Sequence, residues 1–172
     1  MKIGLFYGST TCYTEIVAEK IQALIGADHV ELCNIKQVPL AKMADYDILI
    51  LGLSTWDFGE IQEDWEAHWQ DILTIDLTNK IIAIYGMGDQ VGYAEWFIDA
   101  VGMLHDEIAS QNIKRIGFWP TEGYDFIASK AMTEDGEWFY GLALDDDNQY
   151  ELTDQRLNDW INQILEEISQ LL

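Results

Sequence analysis

The chain has 172 residues, enough for one domain with a proper core, and its 49% hydrophobic content, with Trp 7, Tyr 8 and Phe 6, excludes intrinsic disorder. A net charge of −22 argues against nucleic acid as a partner, since its phosphates would be repelled. The apolar stretch after Met1-Lys2 breaks at Gly8 without a small-residue cleavage site, and no run approaches membrane-spanning length. A cytoplasmic protein with no signal peptide and no membrane insertion is therefore expected.

Taken in order, Lys2 to Tyr7 predicts a short buried strand that Gly8 ends. From Tyr13 the period becomes helical, with Val17, Ile21, Leu24 and Ile25 on one face. His29 to Cys33 alternates and predicts a second strand nearer an edge. Asn34 to Ala44 reads as a connection with a short helical turn. Asp47 to Leu53 is almost wholly apolar, as a central parallel strand covered on both faces should be. A loop, Ser54 to Gly59, leads into a helix carrying Trp65, Trp69, Ile72 and Leu73. Lys80 to Tyr85 predicts a fourth strand, and Phe97, Ala100, Val101, Leu104 and Ile108 mark a long amphipathic helix. Ile113 to Trp119 reads as the fifth strand. Residues 119–138 break the rhythm, being rich in Gly, Thr, Glu and Asp, and Phe139 to Leu144 resumes it. That stretch reads as an excursion splitting the last strand. Leu157, Trp160, Ile161, Ile164, Leu165, Ile168 and Leu171 set the final helix, with Thr153 as its expected N-cap. Strands alternating with helices imply a parallel sheet with right-handed crossovers, here a single α/β domain over 1–172.

The charge is unevenly placed. Met43 to Asn79 holds nine acids and no Lys or Arg, and Ala131 to Gln155 holds eight acids and again no base. Such a face suits solubility, and it would also steer the protein onto basic partners. Cys12 and Cys33 read as free thiols of a reducing compartment.

In an open parallel sheet a ligand sits beyond the carboxyl ends of the strands, where strand order reverses. Three loops leave such ends here: Ser9-Thr10-Thr11-Cys12-Tyr13-Thr14, Ser54-Thr55-Trp56-Asp57-Phe58-Gly59, and Gly86 to Tyr93. The first joins a strand to a helix, where unpartnered amides and the helix dipole favour an anion without any cation. No Lys or Arg occurs between Lys2 and Lys20, which excludes a nucleoside-triphosphatase loop. The other two loops offer Trp56 and Tyr93, able to stack on both faces of a planar ring. A phosphate tail with a sandwiched flat ring describes flavin mononucleotide (FMN).

Tyr7-Gly8-Ser9-Thr10-Thr11 through Thr14-Glu15, Ser54 through Trp65, Gly88-Asp89-Gln90-Val91-Gly92-Tyr93 and Gly141-Leu142-Ala143-Leu144-Asp145 together closely resemble the flavodoxins, across essentially the whole chain. The 119–138 interruption resembles the insertion that defines the long-chain group. Cys12 and Tyr13 stand where the family commonly has Gly and a small or polar residue, and this variant resembles the flavodoxin B (flavodoxin 2) subgroup of gamma-proteobacteria. A positive φ at Cys12 would be strained.

The resemblance implies a flavodoxin-like three-layer sandwich: a five-stranded parallel sheet of order 2-1-3-4-5, helices on both faces, and an insertion in the last strand. It implies that Ser9, Thr10, Thr11, Thr14 and the amides around Cys12 and Tyr13 hold the phosphate. Trp56 would cover the inner face of the flavin ring and Tyr93 the outer. Groups of Ser54, Thr55, Asp57, Phe58, Gly59, Gly86, Met87, Gly88, Asp89 and Gln90 would frame the ring's edge, with Asp145 near the ribityl chain. It implies a low-potential one-electron carrier cycling between semiquinone and hydroquinone, with the Asp57–Phe58 peptide turning its carbonyl toward flavin N5. A monomer is expected, taking electrons from a reductase of the flavodoxin/ferredoxin-NADP type and passing them to basic-faced acceptor enzymes. The alternative on the same fold is a flavin-dependent NAD(P)H or quinone reductase, which direct bleaching by NADPH would reveal. A third reading is a flavin-free acidic module.

His29, His68 and His105 have no metal-ligand spacing, and Asp145-Asp146-Asp147 lacks the glycine and terminal glutamate of a calcium loop, so it reads as a solvated acidic turn. No nucleophile elbow is present.

Overall fold

The computed structural model describes residues 1–172. Its centre is a parallel sheet of β1 (Ile3–Tyr7), β2 (Val30–Asn34), β3 (Ile48–Trp56), β5 (Ile81–Met87) and β6 (Lys114–Arg115), in the order β2-β1-β3-β5-β6. A two-residue strand, β4 (Glu60–Ile61), turns back antiparallel on β3. The apolar runs behave as fully covered strands: every residue of β1 and β5 is buried. Successive side chains alternate between two cores, as strand geometry requires. Ile3, Leu5, Ile48, Ile50, Ile81 and Ala83 face α1 (Tyr13–Ile25) and α5 (Thr153–Leu171). Phe6, Leu49, Leu51, Ile82 and Ile84 face α4 (Asp99–Ile108) and the Trp65 side of α2 (Glu63–Ala67).

The fifth sheet position is shared. β6 lies beside Ile81 and Ile82, the chain then leaves, and β9 (Leu142–Leu144) returns beside Tyr85, Gly86 and Met87. The excursion carries an antiparallel pair, β7 (Trp119–Pro120) with β8 (Trp138–Phe139). Its aromatic side chains Tyr124, Phe126 and Phe139 pack around Phe97. Where the chain rejoins, Gly141 leaves no room for a Cβ, which would lie 2.2 Å from the Ile84 carbonyl oxygen. Arg115 stitches the gap, its guanidinium donating to the carbonyls of Ile82 and Tyr140 and its Nε to His105 Nδ1 at 3.3 Å.

Five local expectations need correction. The fifth strand is only two residues long before the excursion, because the chain departs at Ile116. Ser54 to Trp56 end β3, and Asp57 to Gly59 form the tip of the β3–β4 hairpin, so the stretch is not a free loop. The following helix breaks at His68 into α2 and α3 (Trp69–Ile72), leaving Leu73 exposed. Thr153 lies inside α5 and caps nothing; its hydroxyl donates to Asp146 Oδ1 at 2.5 Å. α4 also begins later than Phe97, since Ile98 takes a left-handed φ of 47°.

Candidate functional site

β1, β3 and β5 end together, and their loops enclose a cavity of about 330 Å³. Thr11, Tyr13 and Thr14 line it from the first loop, Ser54 to Asp57 from the second, and Met87, Gly88, Asp89 and Tyr93 from the third. Asp146 and Asp147 complete the wall. No Lys or Arg faces it.

The first loop is made of donors without acceptors. None of the backbone amides from Ser9 through Glu15 donates within the fold; the first satisfied one is Ile16, to the Cys12 carbonyl at 2.9 Å. The Ser9 hydroxyl is buried and also unpartnered. Consecutive free amides at a strand-to-helix turn form a cradle for an anion. Cys12 gives the cradle its bend, with φ 70° and ψ −9°, a conformation that costs a Cβ-bearing residue about 1–2 kcal/mol. The condition for strain at Cys12, a positive φ, is therefore met. Its thiol is exposed and makes no cap.

Gln62, fully buried, fixes the far side of this turn. Its Oε1 accepts from the Asp64 and Trp65 amides at 3.2 and 3.3 Å, and its Nε2 donates to Thr10 Oγ1 at 3.1 Å. Gly8 makes room for it, since a Cβ there would sit 2.2 Å from Gln62 Oε1. Thr10 thus turns toward Gln62 and Glu63, away from the cavity.

In the second loop Trp56 is half-buried, and its indole N–H is enclosed with no acceptor. Asp57 at φ 44° and Gly59 at φ 87° make the hairpin tip. Thr55 Oγ1 accepts from the Ala100 amide at 3.0 Å and so ties the hairpin to the start of α4. Phe58, 69% exposed, turns outward against Trp96 at 5.1 Å and Tyr93 at 6.4 Å.

The third loop is held in shape by two carboxylates, those of Asp89 and Asp145. Asp89 Oδ1 accepts from the amides of Val91 and Gly92 at 3.0 and 2.7 Å and from Asn148 Nδ2 at 2.7 Å. Burial opposes its ionisation, but these donors outweigh burial and hold its pKa below the usual carboxylate value. Asp145 is wholly buried, accepting at Oδ2 from the amide and side chain of Gln90 at 3.0 and 2.8 Å. Its Oδ1 takes the Asp147 and Asn148 amides at 3.1 and 3.0 Å. Gln90 Oε1 in turn accepts from the Asp125 amide at 2.5 Å, linking the loop to the excursion.

Of the residues singled out in the sequence, Thr11, Tyr13, Thr14, Ser54, Thr55, Trp56, Asp57, Met87, Gly88, Asp89 and Tyr93 meet at the cavity. Ser9, Thr10 and Cys12 lie in the turn beneath it, and Phe58 and Gly59 at the hairpin tip. Gly86 packs on α4, where a Cβ would meet Val101 Cγ2 at 2.3 Å. The side chains of Gln90 and Asp145 bond to one another. Of the acidic run only Asp145 is internal; Asp146 is half-buried and Asp147 exposed, as in a solvated turn, but both also border the cavity, which sequence reasoning missed. The signal was the run's position, directly after a strand that ends at the cavity. Burial, then the charges of Asp89, Asp145 and Asp146, raise the Asp147 carboxyl.

The flavodoxin family model matches residues 5–160. The chain belongs to the flavodoxin family. It is 56% identical to Flavodoxin 2 of Salmonella typhi over 170 residues, covering 99% of this chain and 98% of that one. Flavodoxin 2 of Escherichia coli K12 is 55% identical with the same coverage. Among solved structures, Fusobacterium nucleatum flavodoxin bound to flavin mononucleotide matches with a TM-score of 0.90 and 31% identity, covering 96% of this chain and 98% of that one. Flavodoxins are electron-transfer proteins, so this member is a redox partner protein that carries electrons rather than an enzyme. None of its helices is long and apolar enough to cross a membrane.

Proposed function

We propose that this flavodoxin binds FMN non-covalently in the cavity at the sheet's carboxyl end and carries one electron at a time in the cytoplasm. The observation that carries the reading is the run of free amides from Ser9 to Glu15 beside an enclosed indole N–H. The amides belong to a largely exposed turn and the indole N–H is enclosed; neither has a partner within the fold, and a phosphate and a polar ring would supply them. Bound FMN supplies the redox chemistry, as flavins do in general.

The chain's residues do the rest. The first-loop amides, with the hydroxyls of Ser9, Thr11 and Thr14, hold the phosphate; Thr10 supports them from Gln62. Trp56 covers the inner ring face and Tyr93 the outer, excluding water from the ring. The backbone of Thr55, Asp57, Gly59, Gly88 and Asp89 orients its polar edge. The Asp57–Phe58 peptide, set between positive φ values at Asp57 and Gly59, can turn its carbonyl inward to accept a hydrogen bond from that edge. Asp89, Asp146 and Asp147 line a site with no cation, so added negative charge there is disfavoured. Each 59 mV of lowered potential is a tenfold change in a one-electron equilibrium.

The acidic faces support docking onto basic partners: a flavodoxin/ferredoxin-NADP-type reductase as donor and basic-faced enzymes as acceptors, met by a monomer. Residues 119–138 act as the long-chain insertion within one domain. The test is to add FMN to the colourless chain and titrate the complex with reductant. A yellow complex reduced in two separated one-electron steps is expected. Refusal of FMN, a single two-electron step, or direct bleaching by NADPH overturns the reading.

A further inference from the structure

The cavity depends on where the first amides of α1 point, and no side chain lining it sets that direction. Cys12 offers no cap, and its strain works against the turn. The restraint comes from below. Tyr85 on β5 is wholly buried, and its ring crosses under β3 at Gly52. A Cβ at Gly52 would lie 2.2 Å from Tyr85 Cζ and 2.3 Å from its hydroxyl, so only Gly leaves a passage for the phenol. Trp160 of α5 braces the ring edge-on, at 6.4 Å and 67°. The hydroxyl emerges under α1 and donates to the Thr14 carbonyl at 2.8 Å.

That carbonyl shares a planar peptide with the Glu15 N–H, the last of the free donors. Holding the oxygen keeps the plane from swinging its N–H away from the amino end of the helix. A hydrogen bond accepted at the oxygen also polarises the N–H on the other side of the unit. The carbonyl's second lone pair stays available to the helix ladder. Burial drives the phenol's pKa well above its ordinary value, so the donor is permanent.

We infer that Tyr85 is a positioning residue for the nucleotide phosphate: threaded past Gly52, its phenol anchors the Thr14–Glu15 peptide so that the Glu15 N–H faces the anion. The inference rests on the proposed binding of FMN and adds to that site a residue that never touches the cofactor.

Tyr85→Phe keeps the ring against Gly52 and Trp160 and removes only the hydroxyl. Dissociation constants of the unsubstituted and Y85F apoproteins are measured for FMN and for riboflavin, which has the same ring and no phosphate. FMN binding is expected to weaken about three- to tenfold, the worth of one hydrogen bond, with riboflavin binding unchanged. Parallel loss for both ligands, or loss for neither, overturns the inference. As a second reading on the folded apoprotein, inorganic phosphate shifts the Glu15 amide resonance of the unsubstituted chain and shifts it less in Y85F; an equal response overturns the inference. If the unsubstituted chain refuses FMN, the proposed function fails first, before any substitution is read.

Discussion

The two sides of the cavity are built on opposite plans. The turn from Ser9 to Glu15 keeps its amides free, and one hydroxyl with them. The other unit, loop 89–92 with turn 145–148, has the carboxylates of Asp89 and Asp145 bonded to amides of the same fold. One side keeps its donors free; the other commits the carboxylates of Asp89 and Asp145 to its own amides, which fixes the shape of that wall. A preorganised wall beside an unsatisfied one is a general way to obtain affinity without a cation.

The sharpest way to break this contrast is to remove a carboxylate from the bonded side. Asp145→Ala would strand the Gln90, Asp147 and Asn148 donors, and the apoprotein is expected to lose about 3 kcal/mol or more of stability. Urea denaturation measures the loss, and a change below about 1 kcal/mol would mean that the network is ornamental.

A second internal network, away from the cavity, is sensitive to pH. His105 lies flat on Tyr140 at 3.7 Å and 6° and accepts from Arg115. Burial, and then the Arg115 charge, depress its pKa to about 4. The folded state therefore keeps His105 neutral while the unfolded chain protonates near 6.5. Its contribution is whole above pH 6.5 and drains away as pH falls toward 4, by roughly 2 kcal/mol. In urea titrations His105→Gln should flatten that slope relative to the unsubstituted chain, and identical slopes would refute the assignment.

The smallest effect sharpens the unsatisfied side. Cys12→Gly removes the left-handed penalty but frees the unfolded chain, leaving a net gain of about 0.5–1 kcal/mol in apoprotein stability. A lower denaturation midpoint for the glycine variant would show that the φ of 70° costs nothing here.

How much was legible follows from range. β1, β3 and β5 were plain because a strand buried on both faces writes a continuous apolar run. The three loops were plain because each sits where such a run stops. The bonded side was not, because the partners of Asp145 lie far away in sequence at Gln90 or on a turn that looks solvated. Gln62 was overlooked for the same reason: its bond to Thr10 joins residues that no local pattern relates. The break at His68 went unseen because Trp65 and Ile72 keep helical spacing across it. The conformation of Cys12 was foreseen only as a condition, and backbone geometry decided it.

The free donors between Ser9 and Glu15 also couple the chain's resistance to unfolding to the ligand that fills them. A fold that reserves such groups for a small molecule is more resistant when loaded than when empty, by about 2.7 kcal/mol at a hundredfold excess over the dissociation constant. Under the proposed reading, the chain without FMN would unfold and be cut by proteases more readily than the loaded one.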